Sequence, residues 1–287
     1  MTNKYRVLIL GSSGMLGHQL FYYLKDNCDF ELFDISKNNK IRNETELIDV
    51  YDQVFEKYIR DIKPYYIINC IGLLIRESNS DYENAIKINS LIPHKIIRIA
   101  NEIGSTLVHI STDCVFSGKK GNYKENDLRD GQDFYAMSKI LGEINNPNHL
   151  TLRTSIIGPE IRKKGEGLFH WFMAQDNTIH GYKNVIWSGV TTYELAKIIK
   201  WSIDQRLVGL YHVTNNSSIN KYQLLTLFQK HTNKQIKIIP YEDKISDKSL
   251  LNTKKNFNYQ IPSYEDMVRD MIKIIKSKKK LYSHYII

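Results

Sequence analysis

The sequence predicts an α/β fold in which a doubly wound parallel sheet, covered by helices on both faces, is joined to a smaller C-terminal lobe. Two observations lead to this prediction. Short, strongly apolar runs alternate with helical patterns from Tyr5 to Ile156, which is typical of a parallel sheet buried on both sides. Beyond residue 156 the alternation becomes irregular. We therefore predict a sheet domain over 1–156 and a lobe over 157–287, with some of the lobe's chain returning to the sheet domain.

The individual elements follow from the spacing of the apolar residues. The predicted strands are Tyr5–Leu10, Phe30–Asp34, Tyr66–Asn69, Thr106–Ser111, Thr151–Ile156 and Gly209–Val213. The predicted helices are Met15–Lys25, Val50–Ile62, Ala85–Ile103, Phe134–Ile144, Leu168–Gln175, Tyr193–Ile203, Lys221–Thr232 and Tyr264–Lys276. Pro64 prevents the second helix from continuing, and Pro93 is either tolerated in the third helix or kinks it.

Composition argues against several classes of protein. No apolar run approaches the roughly 20 residues that cross a bilayer, and the start of the chain reads as a strand and not as a signal peptide. Cys28, Cys70 and Cys114 form no CxxC pair, and the nine histidines show no HExxH spacing. We therefore expect no metal and no disulfide framework, and the isolated thiols suit a cytoplasmic location.

The net charge of +9 is the remaining compositional signal. It comes without a nucleic-acid-binding motif, so we expect no nucleic-acid partner, and an anionic small substrate explains it equally well. The densest cluster is Lys276, Lys278, Lys279 and Lys280. We interpret it as a helix end whose lysines complement the helix dipole, with contact to an anionic membrane surface as the alternative.

A glycine-rich loop follows the first predicted strand. In GSSGMLG, Gly11, Gly14 and Gly17 form a GxxGxxG pattern that runs into a helix beginning at Met15 and Leu16. Between a buried strand and a helix, such a loop lets a diphosphate approach the helix N-terminus. The loop therefore predicts a dinucleotide site; the alternative is an ordinary glycine turn.

Asp34 lies where the second predicted strand ends, 17 residues after Gly17. A carboxylate at this place can accept both hydroxyls of the cofactor ribose, which favours NADH. Lys37 is close enough in sequence to bind the 2′-phosphate of NADPH instead. The expected cofactor is therefore NADPH or NADH, and the alternative for Asp34 is a solvated strand end.

A second wall of the cofactor site is predicted where the strand Tyr66–Asn69 leaves the sheet. Asn69, Cys70 and Gly72 follow or end that strand, and ligands of doubly wound sheets lie outside the carboxyl ends of the strands. The alternative is that these are small residues needed for packing.

Tyr135 and Lys139 form a Tyr-x-x-x-Lys pair on one face of a predicted helix. A nearby ammonium stabilises a phenolate, so such a pair can exchange a proton with a carbonyl oxygen. Tyr193 and Lys197 show the same spacing, but only Tyr135 follows a strand-end hydroxyl, that of Thr112. We therefore predict Thr112, Tyr135 and Lys139 as the catalytic group.

Together, GSSGMLG, NCIG, STDCVF and YAMSKILGE resemble the extended short-chain dehydrogenases. The likeness is greatest to the dTDP-4-dehydrorhamnose reductase family, and it extends through AIKINS, LTLRTSIIG, GLYHVTN and SDKSLLNTKK over nearly the whole chain. The resemblance implies a Rossmann-type sheet with a C-terminal substrate-binding lobe. It also implies reduction of the C4 keto group of a nucleoside-diphospho-6-deoxyhexose by NADPH or NADH.

The resemblance also assigns roles to individual residues. Thr112 would hold the keto oxygen, Tyr135 would donate its proton, and Lys139 would bind the nicotinamide ribose and lower the pKa of Tyr135. The implied cofactor-binding residues are Gly11, Gly14, Met15, Leu16, Gly17, Asp34, Lys37, Asn69, Cys70, Gly72, Ser111, Tyr135 and Lys139. The implied substrate-binding residues are Thr112, Asp113, Cys114, Arg153 and Ile156.

Three departures from the family pattern lie around the sugar. Cys114 stands where Tyr is common, Ile156 stands where Trp is common, and SDKSLL lacks the usual Arg-Pro. The expected partner is thus a dTDP-, UDP- or GDP-linked sugar in deoxysugar or surface-polysaccharide (O-antigen) precursor synthesis, and a homodimer is left open. The alternatives are a sugar-nucleotide 4-epimerase and a non-catalytic nucleotide-binding regulatory subunit. The Asp-Cys pair after Thr112 argues against a 4,6-dehydratase, which would be expected to carry Asp-Glu.

Overall fold

A computed structural model describes residues 4–287 of the chain. Its strands are β1 (Arg6–Leu10), β2 (Glu31–Ser36), β3 (Glu46–Leu47), β4 (Tyr66–Asn69), β5 (Thr106–Thr112), β6 (Leu150–Thr154), β7 (Ile156–Ile157), β8 (Ile179–Tyr182), β9 (Val185–Trp187), β10 (Val190–Thr191), β11 (Gly209–His212), β12 (Ile219–Asn220), β13 (Ile238–Tyr241) and β14 (Ser246–Asp247). Its α-helices are α1 (Met15–Asn27), α2 (Gln53–Ile62), α3 (Ile75–Ser80), α4 (Tyr82–Ala85), α5 (Ile92–Ile103), α6 (Phe134–Gly142), α7 (Leu168–Met173), α8 (Thr192–Asp204), α9 (Lys221–Thr232) and α10 (Tyr264–Ser277).

Seven strands form one parallel sheet in the order β11-β6-β5-β4-β1-β2-β3. This arrangement confirms the predicted fold class. The strand order reverses at β1, which lies between β2 and β4. In doubly wound sheets the crevice at such a reversal, outside the carboxyl ends of the strands, is the ligand site. The predicted glycine loop and the predicted second wall follow the two strands that flank this crevice.

Helices cover both faces of the sheet, and successive strand side chains point to opposite faces. Val7 and Ile9 pack with side chains of α1, α8, α9 and α10 in the larger apolar cluster. Leu8 and Leu10 pack with side chains of α2 and α5 in a second cluster. The near-continuous apolar run of β1, which carried the sequence prediction, is thus explained by burial on both faces.

The long helix predicted over Ala85–Ile103 is interrupted. A turn of π-helix, Ile86–Leu91, separates α4 from α5, and Pro93 falls in the first turn of α5. Proline is tolerated there because the first N–H groups of a helix have no partner within the helix. The π-helical turn carries Asn89 beside the catalytic helix predicted from the sequence, α6.

The second half of the chain contributes to both the sheet and smaller structures. Gly209–His212 pairs in parallel with Leu150–Arg153 and extends the main sheet, and α8 packs against α1. Three small sheets, β7 with β10, β12-β9-β14, and β8 with β13, lie outside the main sheet. The division at residue 156 stays a prediction, since the chain after it supplies a strand of the main sheet.

The segment after α10 returns to the first helix. The hydroxyl of Tyr282 lies 2.8 Å from Nε2 of His18 and also contacts the amide of Gln19. Nδ1 of His18 lies 2.6 Å from the carbonyl oxygen of Gly14. The segment after α10 is therefore bound to α1, the helix that begins at the glycine loop. In the basic cluster, Lys278 pairs with Asp26 at 3.0 Å.

Three buried histidines make the fold sensitive to acid. Burial lowers the pKa of His18 and of His212 to about 4, and the pKa of His109 to about 3. Each is neutral in the folded protein at pH values where the unfolded chain, with a pKa near 6.5, binds a proton. Stability is therefore fully present above about pH 6.5 and is lost as the pH falls towards about 4. We expect the free energy of unfolding in urea to fall by roughly 1 kcal/mol per histidine between pH 7 and pH 5.5.

Two substitutions test the source of this dependence. His109→Gln is expected to remove roughly 1 kcal/mol of the loss, since one titrating group is gone. His180→Gln, at an exposed histidine, is the control and leaves the dependence unchanged. An unfolding free energy that stays constant between pH 7 and pH 5.5 would contradict the assignment of these three side chains as neutral.

Candidate active site

The loop between β1 and α1 holds the predicted glycine motif at the crevice. Gly11 has φ +80°, a left-handed conformation that side chains disfavour. A Cβ at Gly11 would lie 3.0 Å from the side chain of Ile71, and a Cβ at Gly17 would lie 2.2 Å from the carbonyl oxygen of Gly11. Both positions therefore need glycine so that the loop can pack against helix α1 and the end of β4.

The first turn of α1 faces the crevice without a side-chain cap. Gly14 precedes the helix and makes no side-chain hydrogen bond to it, so the first N–H groups can bind an anion. Leu16 is buried beneath this turn, while Met15 is partly exposed and lies close to Gly167. This arrangement fits the diphosphate of a dinucleotide cofactor.

Asp34 lies in β2, which continues two residues beyond it to Ser36. Its carboxylate is buried; Oδ1 accepts a hydrogen bond from Nε of Arg42 at 2.8 Å, and Oδ2 has no partner among the described residues. A buried oxygen without a partner at this edge of the sheet fits a ribose hydroxyl. Arg42, on a turn after β2, was missed by the sequence reasoning. Lys37 instead pairs with Asp49 at 2.8 Å near the surface.

The second wall is held by two buried asparagines. Oδ1 of Asn69 accepts from the backbone N–H of Ile71 at 3.1 Å. Oδ1 of Asn89 accepts from the N–H of Leu73 at 2.9 Å, and its amide donates to the hydroxyl of Ser138 on α6 at 3.1 Å. These bonds fix the segment that contains Cys70 and Gly72. Burial raises the pKa of the Cys70 thiol to about 12, so this cysteine packs without acting as a nucleophile.

Thr112, Tyr135 and Lys139 are brought together where β5 meets α6, and all three are buried. Tyr135 lies close enough to Thr112 and Asp113 for both side chains to influence its pKa. Oγ1 of Thr112 donates to Oδ1 of Asp113 at 3.1 Å. The ammonium of Lys139 donates to the carbonyl oxygen of Ile110 at 3.1 Å. The structure thus joins a phenol, a hydroxyl and an ammonium at the carboxyl end of β5.

The electrostatics of this group are set mainly by burial. Burial raises the pKa of Tyr135, and the neighbouring hydroxyl of Thr112 opposes that shift. Burial lowers the pKa of Lys139 to about 8, and the charge of Glu143 opposes that shift. Lys139 therefore carries its charge at neutral pH and loses it in the alkaline range.

A charged cluster lies on the substrate side of Thr112. Burial raises the pKa of Asp113, while the positive charges of Lys248 and Lys221 oppose the shift. Burial lowers the pKa of Lys221 to about 8, and its ammonium lies 5.3 Å from the centre of the Trp187 ring. Burial raises the pKa of Cys114 to about 12. Lys221 and Lys248 were not identified from sequence, because single lysines in a lysine-rich chain carry no motif.

Ser111 and Arg153 occupy a different setting from the one expected. Ser111 donates to Oε1 of Glu143 at 2.6 Å. Arg153 is buried, with Nε and Nη2 bound to the two oxygens of Glu143 at 2.9 and 2.6 Å and Nη1 at 2.7 Å from Nε2 of His212. Their roles as cofactor and substrate ligands stay predictions, and both side chains are committed to an interior network here. Ile156 begins β7 and is partly buried.

The second Tyr-x-x-x-Lys pair lies elsewhere, on α8. The ammonium of Lys197 is 4.7 Å from the centre of the Tyr193 ring and pairs with Glu194 at 2.9 Å. Tyr193 packs edge-on against Tyr23 of α1. The strand-end hydroxyl of Thr191 accepts from the N–H of Glu194 at 3.2 Å and makes no hydrogen bond with this pair among the described residues. It therefore serves as a natural comparison for Tyr135 and Lys139.

Metal centres and membrane spans need features that residues 4–287 do not supply. No group of three or more His, Cys, Asp or Glu side chains in this range could hold a metal ion. No helix in the same range is long and apolar enough to cross a membrane.

Comparisons with known proteins place these features in context. The family model described as the RmlD substrate binding domain matches residues 5–277. Methionine adenosyltransferase 2 subunit beta of Xenopus laevis is 25% identical over 241 residues, covering 76% of this chain and 70% of its own length. The dTDP-4-dehydrorhamnose reductase of Aggregatibacter actinomycetemcomitans is 32% identical over 157 residues, covering 52% of this chain and 51% of its own. The crystal structure of dTDP-4-dehydrorhamnose reductase from Bacillus anthracis in complex with NADP superposes with a TM-score of 0.81 at 22% identity, over 95% of this chain and 100% of that one.

Proposed function

The chain belongs to the RmlD substrate binding domain family, as the resemblance of its motifs predicted, and from this premise we propose that it is an NAD(P)H-dependent sugar-nucleotide reductase. Its substrate is a nucleoside-diphospho-4-keto-6-deoxyhexose, and its product is the corresponding 4-hydroxy sugar nucleotide. The observation that carries the proposal is the meeting of Thr112, Tyr135 and Lys139 beside a crevice whose glycine loop fits a dinucleotide.

The glycine loop, Asp34 and Lys139 are the groups of this chain that would hold the cofactor. When bound, the nicotinamide supplies a hydride to the keto carbon. Thr112 then holds the keto oxygen by a hydrogen bond, and Tyr135 transfers its phenolic proton to that oxygen. The positive charge of Lys139 stabilises the phenolate that remains. Burial of all three side chains keeps bulk water away from the proton transfer.

Asp113 and Lys221 complete the substrate side of the proposed site. A carboxylate and an ammonium next to Thr112 offer an acceptor and a donor to a polyhydroxylated ring. Cys114 adds little polarity, since its pKa of about 12 keeps it a neutral thiol. The sugar nucleotide is dTDP-, UDP- or GDP-linked in this proposal.

The matched relatives favour one second candidate. Several carry the name methionine adenosyltransferase 2 subunit beta, so a nucleotide-binding subunit of another enzyme is the alternative outside catalysis. The intact proton-transfer group speaks for the reductase, because a binding role has no need of it. A 4-epimerase, which returns the hydride to the same substrate, is the alternative among enzymes.

The deciding experiment follows NADPH and NADH oxidation by absorbance with a panel of dTDP-, UDP- and GDP-4-keto-6-deoxy sugars. We expect turnover with one member of the panel and a cofactor that exchanges freely during purification. A cofactor retained through purification, with substrate interconverted and no net oxidation, would replace the reductase by an epimerase. Cofactor binding without conversion of any member would favour the regulatory subunit.

A further inference from the structure

Glu143 extends the catalytic pair by one more step of four residues. Tyr135, Lys139 and Glu143 follow one another at i, i+4 and i+8, so they lie along one face of α6 and its C-terminal end. Glu143 is the C-cap residue that follows Gly142, the last residue of α6. Its carboxylate is buried, which is unusual for a glutamate unless it is paired.

Three consecutive residues of β5 lie next to the side chains of Lys139, Glu143 and Tyr135. The carbonyl oxygen of Ile110 accepts from Lys139 at 3.1 Å. The hydroxyl of Ser111 donates to Glu143 at 2.6 Å. Thr112 lies close enough to Tyr135 to influence its pKa. These contacts hold β5 and α6 together in one relative position.

The carboxylate of Glu143 is the most strongly held of these groups. Arg153 of β6 binds it through two hydrogen bonds of 2.9 and 2.6 Å, and Nη1 of Arg129 adds a third at 3.0 Å. Burial raises the pKa of Glu143, but the hydrogen bonds and charge of Arg153 outweigh it and bring the pKa to about 2. Glu143 is therefore ionised throughout the working pH range.

The charged and titratable groups around Lys139 are few. On its own helix they are Tyr135 and Glu143. His109 of β5 is neutral because burial and the charge of Lys139 lower its pKa to about 3. Arg129 and Arg153 lie behind Glu143. Glu143 is thus the negative charge whose field reaches Lys139 in this part of the structure.

We propose that Glu143 is a positioning residue of this site: its hydrogen bond with Ser111 locks the end of α6 onto β5 and so sets the place of Tyr135 and Lys139, and its carboxylate lies four residues after Lys139. The proposal rests on the assignment of Tyr135 and Lys139 as the proton-transfer pair. It predicts that the charge of Glu143, and not only its size, matters to Lys139.

The first test is Glu143→Gln, which keeps the shape and removes the charge. Loss of a nearby opposite charge lowers the pKa of an ammonium by about one unit. We expect the alkaline limb of NADPH binding and of turnover to move to lower pH by about one unit. Competitive acetylation of Lys139 at a series of pH values, read by mass spectrometry, reports the same shift in the protein without cofactor.

The second test is Arg129→Met, at a side chain that is 38% exposed and whose removal leaves the Arg153 pair in place. It removes a positive charge behind Glu143, so the alkaline limb is expected to move in the opposite direction, to higher pH, by a few tenths of a unit. Arg269→Met, on the surface of α10, is the matched control and leaves the limb where it is.

Opposite shifts of the Lys139 pKa in the two variants support the proposal. A loss of packing alone would not shift that pKa in a direction that depends on the sign of the charge removed. If Glu143→Gln does not fold, the upward shift in Arg129→Met still decides the question. A Lys139 titration that is unchanged in every folded variant overturns the proposal. The labelling readout needs no turnover, so a chain that reduces no sugar would sink the reductase assignment while leaving this test intact.

Discussion

Replacing Tyr135 by phenylalanine is expected to lower turnover by roughly 10²- to 10⁴-fold, the usual contribution of a positioned acid. The variant loses the phenolic proton, but it keeps the ring and its packing. The dissociation constant for NADPH or NADH is expected to stay within about threefold, because the glycine loop and Asp34 are unaffected. Steady-state kinetics and fluorescence titration of the cofactor measure the two quantities separately.

Tyr193→Phe is the matched control for this substitution. Tyr193 has the same spacing to a lysine but lies on α8 against α1, where it packs on Tyr23. Turnover is expected to remain near that of the unaltered protein. Equal losses in the two variants, or full activity in Tyr135→Phe, would show that the proton comes from another group.

The second large effect is expected from Gly142→Ala. A Cβ at residue 142 would lie 1.7 Å from the carbonyl oxygen of Asn89 and 3.0 Å from Cα of Ser90. These are backbone atoms of the π-helical turn, so relief requires α6 to move away from it. Overpacking of this kind costs about 3 kcal/mol or more when backbone has to shift. Chemical denaturation measures the loss, and turnover is expected to fall further, since α6 carries Tyr135 and Lys139.

Leu141→Ala is the control on the same helix, since Leu141 is 62% exposed. Exposed substitutions of this type usually change the free energy of unfolding by less than about 0.5 kcal/mol. A Gly142→Ala protein as stable as the control would mean that α6 and the π-helical turn are less closely packed than described.

Sequence reasoning succeeded where the local pattern decides the structure. The strand Tyr66–Asn69 and the helix Lys221–Thr232 have the predicted bounds. The helix is bounded by Asn220, which caps its start, and by Asn233, which adopts a left-handed conformation at its end. The helix predicted from Val50 begins instead at Gln53, because Asp52 adopts the extended conformation of an N-cap. The π-helical turn before Pro93 has no periodicity of its own and could not be read from the sequence.

The parts of the site that could be predicted from the sequence are those that form sequence motifs. The glycine loop and the Tyr-x-x-x-Lys pair have fixed spacings, and the structure places the loop after β1 and the pair beside the carboxyl end of β5 in the same parallel sheet. Arg42 next to Asp34 and Glu143 next to Arg153 are pairs formed by folding. Residue type alone does not distinguish a charge that is committed to an interior partner from one that is open to a ligand. Arg153 illustrates this, since it lies in a family-like motif but binds Glu143 and His212 inside the protein.

The contact of Tyr282 with His18 has a consequence for the order of events during synthesis. The two residues are 264 positions apart, and His18 in turn contacts Gly14 at the start of α1. As the chain leaves the ribosome, α1 therefore completes its contacts only after the segment that follows α10 has been synthesised. Pairings across such long separations are slow to form because the intervening chain must first be ordered. His18, which contacts the glycine loop at Gly14, thus gains its second partner only after α10 has been released.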